Sequence, residues 1–195
     1  MDSITEIIKS RINSSIEVKD KVLKDERLIA LINDISLLLT DTFKRGGKLL
    51  LCGNGGSAAD AQHLAAEFTG RFYIDRPPLN AEALHVNTSY LTSVANDYSY
   101  DDVYSRMISA TGRKNDVLIA LSTSGNSTNV IKAVETANKM EMITIGFTGH
   151  SGGKMVNLCK YLLNIPSSDT PRIQEAHMLA GHIICELVEK KYFSQ

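Results

Sequence analysis

The apolar run Asp116–Leu121 constrains the fold more than any other stretch of the chain. Its sequence, Asp-Val-Leu-Ile-Ala-Leu, is apolar at consecutive positions rather than at every second one. Such a run is typical of a strand buried on both faces, as in a parallel sheet covered by helices. A loop of hydroxyl residues and then a helix-like segment follow it directly, and Lys48–Cys52 begins a similar strand–loop–helix arrangement. We therefore predict an α/β fold.

The other segments continue this alternation. The predicted further strands are Glu82–Val86, Met142–Phe147 and Tyr161–Ile165, and the predicted helices are Tyr90–Asn96 (capped by Asn87–Ser89), Asp101–Thr111, the segment from Ser127 to about Met140, a short helix after Gly153, and Arg172 to about Phe193; Arg71–Pro78 and Pro166–Pro171 are predicted loops. Strands that alternate with helices favour a three-layer α-β-α sandwich, here with a five-stranded parallel sheet. Ligands of such sheets bind at the carboxyl ends of the strands.

The first 45 residues predict a separate helical arm. Residues 3–45 contain neither proline nor glycine, and their apolar residues recur at helical spacing. Two helices fit, ending at Gly46-Gly47. The second is apolar over more than one stripe, which fits either core packing or contact with another subunit. We expect residues 1–45 to be an arm with a role in oligomerisation and residues 46–195 to be one structural unit.

A glycine-rich loop follows the first predicted strand. In Gly53-Asn-Gly-Gly-Ser57, glycines allow a sharp turn and bring backbone N–H groups close to an anion, and Ser57 could cap the next helix. The spacing matches neither a dinucleotide-binding fingerprint nor a P-loop. An ordinary tight turn remains an equally good interpretation of the glycines alone.

Candidate site residues lie on the helix after this loop and on the closing helix. His63 and Glu67 are four residues apart and project from one helix face, although such a pair is more often solvated than functional. Gln174 and His182 are eight apart and lie on roughly one side of the closing helix, whereas Glu175 and His177 point elsewhere. A histidine between apolar neighbours, as His182 is, can equally be a core residue.

The loop after the central strand is rich in hydroxyl groups. Ser122-Thr-Ser-Gly-Asn-Ser127 places four hydroxyl residues in six positions before a predicted helix. Hydroxyls and free N–H groups at a helix start suit a phosphate group. A capped turn is the alternative, but four hydroxyls exceed what capping needs, so we favour ligand binding.

Composition excludes several classes of function. The chain of 195 residues has 21 Lys and Arg against 22 Asp and Glu, a formal net charge of −1, which gives no sign of nucleic-acid or membrane-surface binding. No stretch approaches a membrane span, and the N-terminus lacks a basic, apolar leader. Cys52, Cys159 and Cys185 lack metal-ligand spacing and indicate reduced thiols. We expect a cytoplasmic protein without nucleic-acid or membrane partners.

Three separated motifs together carry a resemblance to a known family. They are Gly53–His63 (Gly-Asn-Gly-Gly-Ser-Ala-Ala-Asp-Ala-Gln-His), Ser122–Ser127, and Arg172–His177 (Arg-Ile-Gln-Glu-Ala-His) with His182. They resemble the sugar isomerase (SIS) family, and within it the phosphoheptose isomerases, over essentially the whole chain. The resemblance implies the SIS fold and an active site shared between the subunits of a homotetramer.

The resemblance also implies the residues of that site. Zinc, one ion per subunit, is expected at His63, Glu67, Gln174 and His182, with Glu67 and His182 as the acid/base pair. The implied substrate contacts are Asn54, Gly55, Gly56, Ser57, Glu67, Arg71, Asn96, Asp97, Ser122, Thr123, Ser124, Ser127 and Gln174, of which the four hydroxyl residues form the phosphate cradle. The stretch Leu84–Asn87 and Pro171 depart from the family pattern, which leaves sugar contacts near them open.

The implied reaction is the conversion of sedoheptulose 7-phosphate to D-glycero-D-manno-heptose 7-phosphate by proton transfer through an enediol. This step begins nucleotide-activated heptose biosynthesis for lipopolysaccharide core or capsule. One alternative is a non-enzymatic adaptor of the same fold that binds the replication initiator, which we expect to lack the pair formed by Glu67 and His182. Others are an isomerase of another phosphosugar and a phosphosugar-sensing regulator, although the chain shows no DNA-binding extension.

Overall fold

Five parallel strands run through the centre of the molecule in the order β2-β1-β3-β4-β5. The computed structural model describes residues 3–193. Its helices and strands in chain order are α1 (Ile4–Lys24), α2 (Glu26–Lys44), β1 (Leu49–Gly53), α3 (Gly56–Thr69), β2 (Ala81–Ala83), α4 (Thr88–Asp97), α5 (Val103–Thr111), β3 (Val117–Leu121), α6 (Thr128–Lys139), β4 (Ile143–Thr148), β5 (Tyr161–Asn164) and α7 (Thr170–Phe193), with short 3-10 helices at Tyr100–Asp102 and Gly153–Asn157.

Both faces of the sheet are buried, which explains the apolar runs. Leu49 and Leu51 of β1 belong to a core shared with α2, α3 and α7, whereas Leu50 and Cys52 belong to a second core shared with α4, α5 and α6. All five residues of β3 are buried. The predicted three-layer sandwich with a five-stranded parallel sheet is therefore confirmed.

The two helices predicted before Gly46 are present and meet at Asp25. This residue ends α1, and its side chain accepts hydrogen bonds from the N–H groups of Arg27 and Leu28 at the start of α2. One face of α2 packs into the core through residues such as Ile35 and Leu39, and contacts α7. The predicted arm (residues 1–45) and structural unit (residues 46–195) include four residues outside the described part of the chain, namely Met1, Asp2, Ser194 and Gln195.

Several predicted boundaries were wrong. The second strand is Ala81–Ala83 rather than Glu82–Val86, because the chain turns at Leu84 as it leaves β1. The helix expected at Asp101–Thr111 is a 3-10 turn followed by α5. The closing helix begins at Thr170, so Pro171, predicted as loop, lies in its first turn, where a missing N–H removes no intrahelical hydrogen bond.

The parallel register brings the carboxyl ends of β1 and β3 to the same edge of the sheet, since Gly53 pairs with Leu121. The glycine-rich and hydroxyl-rich loops therefore leave the sheet side by side. Among residues 3–193, no helix combines the length and the apolar character needed to cross a membrane.

Candidate active site

Close packing of α3 against α7 brings two histidines together. Gly181 of α7 faces Leu64 of α3, and a Cβ at Gly181 would lie 2.6 Å from Leu64 Cδ2. The absence of that Cβ lets the two helices approach. As a result, His182 Nε2 lies 3.3 Å from His63 Nε2, although the residues are far apart in the sequence.

Glu67 completes a group of three possible metal ligands. Its Oε1 lies 2.9 Å from His63 Nε2, and ligand atoms of His63, Glu67 and His182 all lie within 4.8 Å of one another. Two ligands of a tetrahedral zinc ion, at bond lengths of about 2.0–2.1 Å, are separated by about 3.3 Å. The separation of the two imidazole nitrogens matches this value. His63 Nε2 faces both the carboxylate of Glu67 and the ring nitrogen of His182. A cation shared by all three side chains therefore satisfies the group better than one proton does.

An open cleft borders this group. It has a volume of about 610 Å³ and is lined by residues of α3 and the following loop, namely Ala59, Gln62, His63, Ala66, Glu67, Gly70 and Arg71. The side chain of Glu67 is 24% exposed and that of His63 is 50% exposed, so both are accessible from it. The structure thus places Arg71 beside the histidine–glutamate group.

A buried ion pair, which the sequence analysis missed, holds the loop after α3. Glu189 of α7 accepts hydrogen bonds from Arg76 Nε at 2.8 Å and from the N–H groups of Phe72, Tyr73 and Ile74. Burial raises the pKa of this carboxyl, but these hydrogen bonds outweigh it and lower the pKa overall. The pair holds the loop in place. The centre of the Phe72 ring in this loop lies 5.7 Å from the centre of the His182 ring.

Arg76 also joins this loop to α3. It donates to the carbonyl oxygen of Glu67 at 2.8 Å and to that of Phe68 at 2.9 Å. The last turn of α3 therefore has its free carbonyl groups satisfied by a guanidinium, as helix ends require. A charged residue within a proline-containing loop was the available sequence signal for this contact.

Asp60 is a second residue that sequence analysis missed. It lies one turn before His63 on α3, and its Oδ2 is buried without a hydrogen-bond partner among the described residues. Burial raises the pKa of this carboxyl to about 6, although nearby His63 lowers it.

Gln174 does not reach this group within one chain. It lies about 12 Å before His182 along α7, given the helical rise per residue. Its side-chain amide instead packs on Gly56 at the start of α3, where a Cβ would lie 2.5 Å from Gln174 Nε2. The structure thus places Gln174 at the glycine-rich loop and His182 two turns further on.

The glycine-rich loop ends in a backbone conformation that requires glycine. Gly55 has φ 54° and ψ −122° and precedes α3 as its N-cap residue. No side chain caps this helix, so the prediction that Ser57 caps it was wrong, because Ser57 lies inside the first turn and is buried. Asn54 forms two hydrogen bonds with Asn129 of α6 and accepts one from Tyr100.

The hydroxyl-rich loop leads into α6 as predicted. Ser122 Oγ and Ser127 Oγ are 3.0 Å apart, and Ser127, the N-cap residue, makes no side-chain capping bond. Gly125 has φ 65° and packs so closely on Gly152 and Gly153 that a Cβ would collide with the Gly152 carbonyl. Ser124 and Thr123 line a cavity of about 240 Å³ that also contacts His150 and Ser167. The hydroxyls therefore line the start of α6.

Asn96 and Asp97 lie at the exposed end of α4, close in sequence to Tyr100. Asn96 Nδ2 donates to Asp97 Oδ1 at 2.8 Å. Tyr100, three residues after Asp97, connects this segment to Asn54. In the described part of the chain, no hydrogen bond joins Asn96 or Asp97 to the group on α3 and α7.

His177 is a buried core histidine. It is fully buried, its Nε2 lies 3.1 Å from the carbonyl oxygen of Thr148, and its ring packs on Phe147. Burial lowers its pKa to about 4, although the hydrogen bond with Thr148 raises it. The ring is therefore neutral near pH 7 and takes no part in the group on the other face of α7.

Comparisons with known proteins show which family the chain resembles. A model of the SIS domain matches residues 12–149. Phosphoheptose isomerase 2 of Campylobacter jejuni subsp. jejuni is 51% identical over 195 residues, which cover 100% of this chain and 97% of that protein. A phosphoheptose isomerase of Clostridium acetobutylicum is 52% identical over 188 residues, 96% of each chain.

Solved structures give the same result. The phosphoheptose isomerase GmhA of Neisseria gonorrhoeae superposes with a TM-score of 0.90 at 42% identity, over 96% of this chain and 100% of that one. A phosphoheptose isomerase of Francisella tularensis superposes with a TM-score of 0.93 at 33% identity, over 97% and 100% of the two chains. With a family model matched over more than half of its residues and relatives aligned along nearly its whole length, the chain belongs to the SIS domain family.

Proposed function

We propose that the protein is a phosphoheptose isomerase that converts sedoheptulose 7-phosphate to D-glycero-D-manno-heptose 7-phosphate. The observation that carries the proposal is the group His63–Glu67–His182, which lies beside an open cleft. Full-length relatives of the same name support it. The reaction begins nucleotide-activated heptose biosynthesis for lipopolysaccharide core or capsule.

Moving a carbonyl from C2 to C1 requires a proton to leave C1 and a proton to arrive at C2. Glu67 and His182 carry these transfers, since their ligand atoms lie within 4.8 Å of each other and both are partly exposed. A carboxylate and an imidazole are groups that exchange protons near neutral pH. The O1 proton is released as the new carbonyl forms, and O2 gains one, so the net proton count is unchanged.

One zinc ion per subunit is part of the proposal. His63, Glu67 and His182 would hold it, and the 3.3 Å between the imidazole nitrogens supports this assignment. When bound, zinc supplies a Lewis acid for the carbonyl oxygen. Gln174 is proposed as a further ligand on the family resemblance; because its amide packs on Gly56 within one chain, this role requires the side chain to move or another subunit to supply it.

The two loops at the edge of the sheet bind the rest of the substrate. Ser122, Thr123, Ser124 and Ser127 hold the phosphate at the start of α6, where hydroxyls and backbone N–H groups favour an anion. The sugar is held by Asn54, Gly55, Gly56, Ser57, Arg71, Asn96, Asp97 and Gln174. The neighbouring positions of β1 and β3 support a single ligand that spans both loops.

We also propose a homotetramer with active sites at its subunit interfaces and with residues 1–45 as the oligomerisation arm. The exposed isoleucines Ile4, Ile7, Ile8, Ile12 and Ile16 on α1 support this, because such a stripe is typical of a helix that packs on a partner. A cytoplasmic location belongs to the same proposal, and the free thiols of all three cysteines support it.

Turnover of sedoheptulose 7-phosphate by metal-stripped protein, with and without added zinc, tests the function. We expect zinc to restore turnover in the wild type, and Glu67→Gln to lower it at least about 1,000-fold, in the upper range of acid–base contributions. Glu186→Gln is the matched control, because Glu186 lies one turn beyond His182 in an ordinary ion pair with Lys190. A folded protein without turnover under any metal would contradict the proposal and favour an adaptor.

A further inference from the structure

Two asparagines join the loops that bind the two ends of the substrate. Asn54 Nδ2 donates to Asn129 Oδ1 at 2.8 Å, and Asn129 Nδ2 donates to Asn54 Oδ1 at 2.9 Å. Asn54 belongs to the glycine-rich loop and is partly exposed, whereas Asn129 lies in the first turn of α6 and is 3% exposed. The paired amides therefore connect the sugar side of the site to the phosphate side.

The backbone of α6 fixes which way both amides point. The N–H of Val130 lies 2.9 Å from Asn129 Oδ1. A backbone N–H can only donate, so the atom of Asn129 that faces it must be the oxygen. This orientation turns Asn129 Nδ2 toward Asn54, and the atom of Asn54 that meets it must be Oδ1. The orientation of Asn54 thus follows from a helix that the substrate sugar need not touch.

The acceptor capacity of Asn54 is then filled. An amide oxygen has two lone pairs. In this structure one receives Asn129 Nδ2 and the other receives the hydroxyl of Tyr100 at 3.1 Å. One N–H of Asn54 Nδ2 donates to Asn129, so the other N–H has no partner among residues 3–193 and both lone pairs of Oδ1 are used.

We propose that Asn129 and Tyr100 are positioning residues that restrict Asn54 to donating a hydrogen bond to a sugar oxygen. This inference rests on the proposed function. A donor aimed at an oxygen that gains negative charge in the enediol step stabilises the transition state more than the substrate. An amide free to rotate would also present its carbonyl, which favours a sugar hydroxyl and gives no such stabilisation.

The substitution Asn129→Asp separates this role from a structural one. A carboxylate still accepts from Val130 and Asn54 but cannot donate, whereas a protonated carboxyl can accept at one oxygen and donate one hydrogen bond to Asn54 from the other. We expect kcat/KM to fall about 10-fold to 100-fold relative to the wild type at pH 8, mainly in kcat. The ratio of variant to wild type should recover as the pH falls to 5. Nearby Asp102 and Lys132 pair with each other in both proteins, and Asp101 is also unchanged.

Three further measurements keep the result decisive. The inhibition constant of inorganic phosphate should stay within about 3-fold, because the hydroxyl-rich loop is intact. Asn138→Asp is the matched control on the far end of α6, where the amide bonds Leu158 and Thr144, and its kcat/KM ratio should not vary with pH. Tyr100→Phe, at an exposed position, frees one lone pair of Asn54 and should lower kcat about 3-fold to 10-fold.

Distinct outcomes identify which claim fails. If Asn129→Asp does not fold, Tyr100→Phe alone decides. Wild-type kcat/KM in the folded variants at every pH would overturn the positioning role while leaving the function intact. If the wild type does not turn over sedoheptulose 7-phosphate, the function fails, and neutron diffraction from deuterium-exchanged crystals tests the orientation by itself. Deuterons must then lie on the Asn54 atom that faces Asn129 Oδ1, and their presence on the other atom would overturn the inference.

Discussion

The two faces of α7 carry histidines in opposite environments, and we propose a functional role for only one of them. His177 is fully buried against Phe147 and Thr148, with its pKa lowered to about 4. His182, five residues later on α7, is partly exposed, and it faces His63 on the neighbouring helix α3. The difference teaches that residue type and helix position are insufficient to identify a functional histidine. The partners on the neighbouring helix and the access to solvent distinguish the two.

The substitution His182→Ala should have the largest effect on activity. We expect a loss of turnover of at least about 1,000-fold and loss of bound zinc, because one of three converging ligands disappears. The free energy of unfolding of the metal-free protein should change by less than about 1 kcal/mol, since the side chain is partly exposed. Turnover, zinc content and urea unfolding of the same preparation check this. If His182→Ala kept its zinc and its turnover, His182 would have no functional role that distinguishes it from His177.

Glu189→Gln should lower both the stability of the fold and the affinity of the proposed site for zinc. For this buried residue, unlike His177, structural and functional effects are not separate. Removing the charge leaves buried Arg76 without its carboxylate, which should cost about 3 kcal/mol in the free energy of unfolding. The loop that carries Phe72 onto His182 should loosen, and zinc should bind more weakly. Urea unfolding and zinc titration measure the two effects. Glu186→Gln, in an exposed pair, should change stability by less than about 0.5 kcal/mol.

His177→Leu should lower stability and leave the chemistry almost intact. The change removes the hydrogen bond to the Thr148 carbonyl oxygen, which keeps the one from the Ile165 N–H, at a cost of about 0.5–1.5 kcal/mol at pH 7. Turnover of the folded variant should stay within about 5-fold of the wild type. Urea unfolding and kinetics check both. A loss of turnover as large as that of His182→Ala would show that the buried face also serves catalysis.

The pH dependence of stability sharpens the same comparison. Between the unfolded pKa of 6.5 and the folded pKa of about 4, the unfolded chain binds a proton at His177 that the folded chain does not. The free energy of unfolding must therefore fall as the pH falls, by up to about 2 kcal/mol from pH 6.5 to pH 5. His177→Leu should remove this part of the slope. An unchanged slope in the variant would assign the effect to other groups.

Much of the fold was predictable because burial on both faces leaves a clear sequence pattern. The run Asp116–Leu121 and the glycine-rich and hydroxyl-rich loops indicated β1, β3 and their helices. Boundaries failed where a local contact overrides propensity, as at β2, whose three residues pair with β1 and then turn away. Pro171 lies in the first turn of α7, because the fixed φ of proline suits a helix start, so this proline begins the closing helix instead of ending the loop before it.

Of the candidate site, sequence spacing could pair His63 with Glu67 but could not bring His182 to them. That contact depends on the absence of a side chain at Gly181, which reads as an ordinary helical glycine in the sequence. Asn129 and Arg76 were missed for a related reason. Their partners lie far away in the sequence, and only the packing of helices on the sheet determines which polar groups meet.

The most direct test of the central claim is proton exchange with solvent during turnover. Sedoheptulose 7-phosphate is converted by the zinc-loaded protein in D₂O, and the aldose product is examined by proton NMR. If the group on α3 and α7 transfers protons through an enediol, the product carries deuterium at C2, and Glu67→Gln forms almost no product. Turnover by Glu67→Gln equal to that of the wild type, whatever the deuterium content of the product, would contradict the account.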